Sequence, residues 1–103
     1  MNRQQQIDSF LLAAHRLAID RLRADPARIE PVRAQLSRWR ERSTRADTYS
    51  DEWQRPLAAD TDVSERAVCA DDEHGALLRS VSPMSSPITP SERSQLLRDA
   101  RTP

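Results

Sequence analysis

Apolar residues recur at three- and four-residue steps over the first 24 positions of the chain, which is the spacing of one face of a helix. The members of this face are Ile7, Phe10, Leu11, Ala14, Leu17, Ala18 and Leu22. Charged residues such as Arg16 and Asp20 fall largely on the opposite side. The pattern predicts a helix over 3–24, closed by Asp25 and Pro26, with Asp25 capping a turn that begins at Pro26.

A second apolar stripe indicates a second helix. Its members are Val32, Leu36 and Trp39. Because proline is tolerated in the first turn of a helix but not in its interior, the helix is predicted to run from about Glu30 or Pro31 to Arg42. Placing Trp39 on this stripe predicts that it belongs to the core, so that Trp39→Ala would be among the most destabilising changes.

The middle of the chain is predicted to hold a loop and two short helices. Segment 43–50 shows no period, and Ser50 can cap a helix over 51–55 that Pro56 ends or kinks. A capping box of Asp62 and Glu65 starts a helix over about 63–70. The residues that this helix would bury are Val63, Ala67 and Val68, and the acidic stretch 70–75 either interrupts the helix or forms its exposed face.

A serine- and proline-rich connector over 80–89 precedes the last helix. Thr89 and Glu92 have the spacing of a capping box around Pro90, which predicts a terminal helix over 90–101. No stretch shows the alternation typical of a strand. The fold class is therefore predicted as all-α: a single domain over 1–103, with an irregular main bundle over 1–79 and about four to five short helices in all.

Composition favours a small protein that gains stability from a partner. Apolar residues make up 37% of the chain and aromatic residues 4%, which is a thin supply for a core. We therefore expect a bound partner or a homodimer. The longest apolar run, at 10–14, is too short to span a membrane, and the single Cys69 cannot form an internal disulfide, so we expect a cytoplasmic protein with no membrane contact.

Formal charge is zero overall, yet it is distributed unevenly. Residues 1–45 hold ten Arg and five acids, a net of +5, whereas residues 46–103 hold six Arg and eleven acids, a net of −5. Such a split predicts either a basic contact surface or two halves that attract each other within the fold or a dimer.

The sequence contains no recognisable catalytic or metal-binding pattern. His15 has no partner placed by spacing, and the carboxylates before His74 are consecutive, so they point in different directions on a helix. Cys69 is interpreted as a small core residue, and a single glycine, Gly75, excludes a glycine-rich phosphate loop. We predict a protein that is not an enzyme and has no cofactor; an enzyme would need a polar pocket around His15 or His74.

The basic segment "RAQLSRWRERSTR" (33–45) is the candidate for nucleic-acid binding, because the guanidinium fork donates two hydrogen bonds to phosphate. Its arginines are Arg33, Arg38, Arg40, Arg42 and Arg45. This alternative describes a small transcriptional regulator that contacts DNA through its second helix.

Three groups of residues resemble a small bacterial antitoxin-type domain of toxin–antitoxin pairs, which also occurs behind helix-turn-helix domains. They are Leu36, Trp39 and Arg40; Asp51, Glu52 and Trp53; and Leu78, Arg79, Ser82, Pro83, Thr89, Pro90, Glu92 and Arg93. The resemblance covers about 15–98, and Pro56 and Pro87 depart from it where the pattern has apolar residues. It implies a protein that binds and neutralises a cognate toxin.

Partner contacts are assigned to the end of the main bundle, the connector and the last helix. The candidate residues are Arg79, Pro83, Ile88, Arg93, Leu96 and Leu97. An apolar helix laid in a partner's groove contacts it through residues three and four positions apart, as Leu96, Leu97 and Ala100 are. The alternative is that this helix packs back onto its own bundle, since connectors of this length are common between bundle helices.

Overall fold

The computed structural model of the chain describes residues 2–42, 52–57, 60–84 and 87–101. Within these ranges the chain forms six α-helices and one short 3₁₀ turn, with no strand, so the predicted all-α fold class is confirmed. No helix in the described part is long and apolar enough to cross a membrane.

Helix α1 runs over Arg3–Ala24, with the bounds that the apolar period predicts. Its start is set by a capping box that sequence reasoning missed: the Asn2 side chain accepts the Gln5 N–H at 2.8 Å, and the Gln5 side chain accepts the Asn2 N–H at 3.0 Å. Because Asn replaces the usual Ser/Thr, the signal is weaker in the sequence.

A 3₁₀ turn over Pro26–Arg28 joins α1 to helix α2, Ile29–Arg42, which begins one residue earlier than predicted. The prediction that the Asp25 side chain caps this turn is wrong. The Asp25 backbone carbonyl accepts the Arg28 N–H at 3.1 Å, while its carboxylate lies 3.6 Å from Arg28 Nε and makes no capping hydrogen bond. The Asp25 carboxylate thus lies beside the Arg28 guanidinium instead of capping the backbone N–H groups of the turn.

Helix α3 includes residues 52–57, so it continues past Pro56 rather than ending there. The predicted loop over 43–50 and the cap at Ser50 lie outside the described residues. Because Pro56 has no N–H, it forfeits one hydrogen bond of the helix ladder. Its ring is buried, and its carbonyl accepts a hydrogen bond from the Ser64 hydroxyl.

Helix α4 runs over Thr61–Val68 and is capped by Asp60, whose carboxylate accepts the Val63 N–H at 2.9 Å. The predicted capping box of Asp62 and Glu65 is therefore wrong. Both carboxylates instead form ion pairs with Arg23 of α1. With the helix starting two residues earlier, Val68 is buried but Val63 remains 39% exposed.

The acidic stretch 70–75 interrupts the helical pattern. Asp72 accepts the Gly75 N–H at 2.7 Å and caps helix α5, Glu73–Ser80. A Cβ on Gly75 would lie 2.3 Å from the Ala70 carbonyl oxygen, so glycine is needed where this helix passes the end of α4.

Helix α6, Pro90–Arg101, begins as predicted. The Thr89 hydroxyl accepts the Glu92 N–H at 3.1 Å, and the Glu92 carboxylate accepts the Thr89 N–H at 3.0 Å, which confirms the predicted capping box. The connector begins after Ser80, and four of its described residues are buried: Pro83, Met84, Pro87 and Ile88.

Helix α1 lies at the centre of the bundle and contacts α4, α5 and α6. Trp53 of α3, Leu78 of α5 and Ile19 of α1 are fully buried in the core. Sequence reasoning missed Ile19, which lies beside the predicted face, while Ile7 of that face is 42% exposed. Trp39 is half-buried and packs against the core from its edge.

The uneven charge is partly resolved inside the fold. Arg21 of α1 pairs with Glu92 of α6, and Arg23 pairs with Asp62, at 2.7 Å, and with Glu65 of α4. Each pair joins the basic first part of the chain to the acidic second part. These ion pairs therefore agree with the interpretation that the two halves of the chain attract each other within the fold.

Candidate functional site

His15 is the most deeply buried polar side chain in the described part of the chain, with 4% of its surface exposed. Its Nδ1 lies 2.6 Å from the Leu11 carbonyl oxygen, and its Nε2 lies 2.6 Å from Ser82 Oγ. Because a carbonyl oxygen only accepts, Nδ1 carries the proton and donates to Leu11. Nε2 therefore accepts the hydrogen bond from the Ser82 hydroxyl.

Ser82 completes a polar network between α1 and the connector. Its Oγ also accepts the Met84 N–H at 3.0 Å, so one hydroxyl donates to His15 and orders the backbone of the connector. The His15 ring lies against Trp53, with 6.0 Å between ring centroids. The serine of the connector is thus fixed to the interior of the bundle.

Burial lowers the pKa of His15 from 6.5 to about 4. The hydrogen bond to the Leu11 carbonyl raises the pKa in part, and the positive charge of Arg79 lowers it further. His15 is consequently neutral at pH 7, in agreement with the hydrogen bond that its Nε2 accepts.

Ser82 and His15 have the separation of a nucleophile and its base, and the Leu11 carbonyl orients the imidazole. Backbone donors for an oxyanion are not supplied by the next two residues: Pro83 has no N–H, and the Met84 N–H donates to Ser82 Oγ itself. In this arrangement the pair holds the connector in place.

Arg79, a predicted partner contact, is 6% exposed. Its Nη1 donates to the carbonyl oxygens of Val68 at 2.8 Å and Ala70 at 2.9 Å. These carbonyls end α4, where the helix has no further N–H to offer them. The side chain thus joins α5 to the end of α4, and its burial leaves little of Arg79 accessible to a protein partner.

A cavity of about 190 Å³, here called the connector pocket, lies between α1, the connector and α6. Its apolar wall includes Phe10, Ala14, Met84 and Ile88, and its polar groups include His15, Ser82, Arg79 and Arg93. The Arg93 guanidinium carbon lies 5.2 Å from the centroid of the Phe10 ring. Three of the predicted partner residues, Arg79, Ile88 and Arg93, are therefore brought together at one pocket.

The other predicted partner residues do not reach this pocket. Pro83 is fully buried, and Leu96 and Leu97 pack against the core where α6 lies along α1. Ile88, although it lines the pocket, is only 7% exposed. The terminal helix thus packs on its own bundle, as the alternative interpretation has it.

Three arginines of α2 lie on the outside of the molecule. Arg33, Arg38 and Arg40 are exposed; Arg33 donates to the Leu57 carbonyl at 3.2 Å, and Arg38 donates to the Gln35 side chain. The side chain of Arg42 and all of Arg45 lie outside the described residues.

Two neighbouring hollows, of about 230 and 360 Å³, lie beside Arg33 and Leu57, which line both of them. We call this surface the α2–α3 face. The first hollow has buried apolar side chains at its floor, among them Ile19, Leu22 and Trp53, and the second is completed by Leu36, Ser37 and Gln54. Sequence reasoning missed this surface because its residues come from separate helices.

The remaining polar candidates do not converge. His74 Nε2 lies 3.5 Å from a Glu52 carboxylate oxygen at the surface. No group of three or more His, Cys, Asp or Glu side chains within the described ranges is arranged to hold a metal ion. Burial raises the pKa of the half-buried Cys69 thiol, which disfavours the reactive thiolate.

Comparison of the chain with models of protein families, with curated proteins and with solved structures finds no match. Fold and site together define the chain as a small all-α bundle with an apolar, arginine-rimmed face and a separate pocket at its connector. The function is therefore argued from this geometry.

Proposed function

We propose that the chain is a non-enzymatic interaction protein of antitoxin type, which binds a cognate toxin in the cytoplasm and neutralises it by occlusion. The α2–α3 face is the observation that carries the proposal. Protein-binding sites are typically built around a pocket that takes an apolar anchor of the partner, with polar groups at the rim.

The hollow of about 230 Å³ has the character of such an anchor site. Its floor includes Leu22, Trp53 and Val68, which the core holds rigidly. Arg33 lies at the rim and uses one nitrogen, Nη2, on the Leu57 carbonyl. Glu30 approaches Nη1 only at 3.5 Å, so the exposed guanidinium retains donors for a carboxylate of the partner. We expect the toxin to present an apolar side chain next to an acidic one.

Co-expression with the product of the adjacent gene tests the proposal. Gln54→Glu places a carboxylate beside Arg33 in the second hollow of the α2–α3 face, where it repels and competes with the acidic side chain expected of the partner, so we expect loss of the co-purified complex and of protection from toxicity. Gln95→Glu makes the same exchange at an exposed position of α6 and is expected to retain both. The proposal is rejected if the unmodified chain forms no complex and does not restore growth.

Nucleic-acid binding is the alternative, and the exposure of Arg33, Arg38 and Arg40 favours it. Trp39 packs against the core, so binding would depend on phosphate contacts rather than on stacking. It predicts an affinity for duplex DNA that decreases steeply with salt, and a weaker salt dependence for Arg38→Ala. Absence of binding at low salt would remove this alternative.

A further inference from the structure

The connector pocket holds two guanidinium groups, those of Arg79 and Arg93. Within the described part of the chain, neither has a carboxylate at ion-pair distance, whereas Arg21 and Arg23 are paired with acids of other helices. Two guanidinium groups that form no ion pair give one wall of a small pocket a positive charge.

Arg79 is the deeper of the two. A guanidinium group has five N–H donors, and both hydrogen bonds that Arg79 makes to the described residues use Nη1. A side chain that is only 6% exposed is largely removed from water, so its other donors favour an acceptor that enters the pocket.

Arg93 is the outer group and is positioned by two features. It lies in the first turn of α6, whose start is set by the Thr89 and Glu92 capping box. Its guanidinium rests on the Phe10 ring, which restricts the side chain while leaving its edge available for hydrogen bonds.

The rest of the lining is neutral or apolar. His15 and Ser82 bond to each other and contribute no charge at pH 7, while Phe10, Met84 and Ile88 supply an apolar wall. Arg79 also lines a separate open cleft with four carboxylates, but none of these lines the connector pocket: Asp8, Asp71, Asp72 and Glu73.

We propose that the connector pocket binds a small carboxylate that carries a short apolar tail, with the carboxylate between Arg93 and Arg79 and the tail against Phe10 and Ile88. Planar guanidinium groups match the geometry of a carboxylate, and the apolar wall selects against acids that have no tail. The volume of about 190 Å³ limits the ligand to a short chain or a single ring.

Titration of the full-length ¹⁵N-labelled protein with hexanoate tests this site by NMR. We expect saturable shifts of the amide signals of Ser82, Met84 and Arg93. Acetate, which has the charge without the tail, and 1-hexanol, which has the tail without the charge, are each expected to bind about tenfold more weakly.

Arg93→Gln is the informative variant, because Arg93 is exposed and the amide that replaces it is polar but uncharged. It is expected to weaken hexanoate binding about tenfold, while Arg98→Gln, on the same helix and outside the pocket, leaves it unchanged. The proposal is overturned if hexanoate produces no saturable shifts at these residues, if 1-hexanol binds as tightly, or if the two variants weaken binding equally.

Discussion

At the scale of single residues, His15 shows how a polar side chain is accommodated on a buried helix face. Its position in α1 is buried between Ala14 and Ala18, yet both ring nitrogens have partners, the Leu11 carbonyl and the Ser82 hydroxyl. Burial without a charge partner disfavours the protonated form, which explains its lowered pKa.

Acid is therefore predicted to destabilise the fold through His15. The His15 imidazole is protonated below about pH 6.5 in the unfolded chain but only below about pH 4 in the folded chain. The free energy of unfolding therefore falls as the pH decreases from 6.5 to 4. We expect a loss of about 2 kcal/mol between pH 7 and pH 5, measured by urea unfolding at each pH.

One variant separates this effect from other acid-sensitive groups. His15→Asn is expected to be less stable at pH 7 but to lose much less stability between pH 7 and pH 5. The Glu92 carboxyl also has a lowered pKa, chiefly through the hydrogen bond from the Thr89 backbone; its contribution is lost only as pH falls below its ordinary value of 4.5. A parent-like pH dependence in His15→Asn would contradict the assignment.

The two tryptophans are predicted to differ in their contribution to stability. Trp53 is fully buried and its indole N–H donates to the Leu78 carbonyl at 2.9 Å, whereas Trp39 is half-buried. Trp53→Ala is expected to cost roughly 3–5 kcal/mol, and Trp39→Ala clearly less, by denaturant unfolding. This revises the sequence-based expectation for Trp39; equal losses for the two variants would argue against the revision.

At the scale of secondary-structure elements, the helix starts show where the local sequence is sufficient to predict the first residue of a helix. The start of α6 was predicted because Thr89, Pro90 and Glu92 form the common pattern. The start of α4 was misplaced because Asp60 and Asp62 both have the chemistry of a cap. Arg23 of another helix attracts Asp62, and this contact is absent from the local sequence.

Thr89→Ala is predicted to loosen the start of α6. The loss of its hydroxyl leaves the Glu92 N–H without its capping acceptor, which should cost about 1 kcal/mol and increase hydrogen exchange in the first turn of α6. Thr61→Ala is the matched control, since Asp60 supplies the cap of α4. Equal losses of stability in the two variants would show that the Thr89 cap contributes little.

At the scale of the whole molecule, charge joins the two parts of the chain. Arg23→Glu places a fourth negative charge beside Asp20, Asp62 and Glu65, so we expect a lower urea midpoint. Adding Glu65→Arg to Arg23→Glu should restore part of the lost urea midpoint. Because these groups are exposed, high salt should reduce the differences in midpoint between the variants and the parent chain. Arg16→Glu on the same helix is the control, and a loss as large as that of Arg23→Glu would argue against a specific contact.

The sequence by itself determined the fold class, the bounds of α1 and the start of α6. These features depend on apolar periodicity and on capping residues that lie within four residues of each other, so short stretches of sequence are enough to predict them. Tertiary structure alone decided that Asp60 rather than Asp62 caps α4, that α6 packs on α1, and that Arg79 is buried. It also decided that His15 meets Ser82, because contacts between residues 67 positions apart depend on how the helices pack and leave no periodic signal.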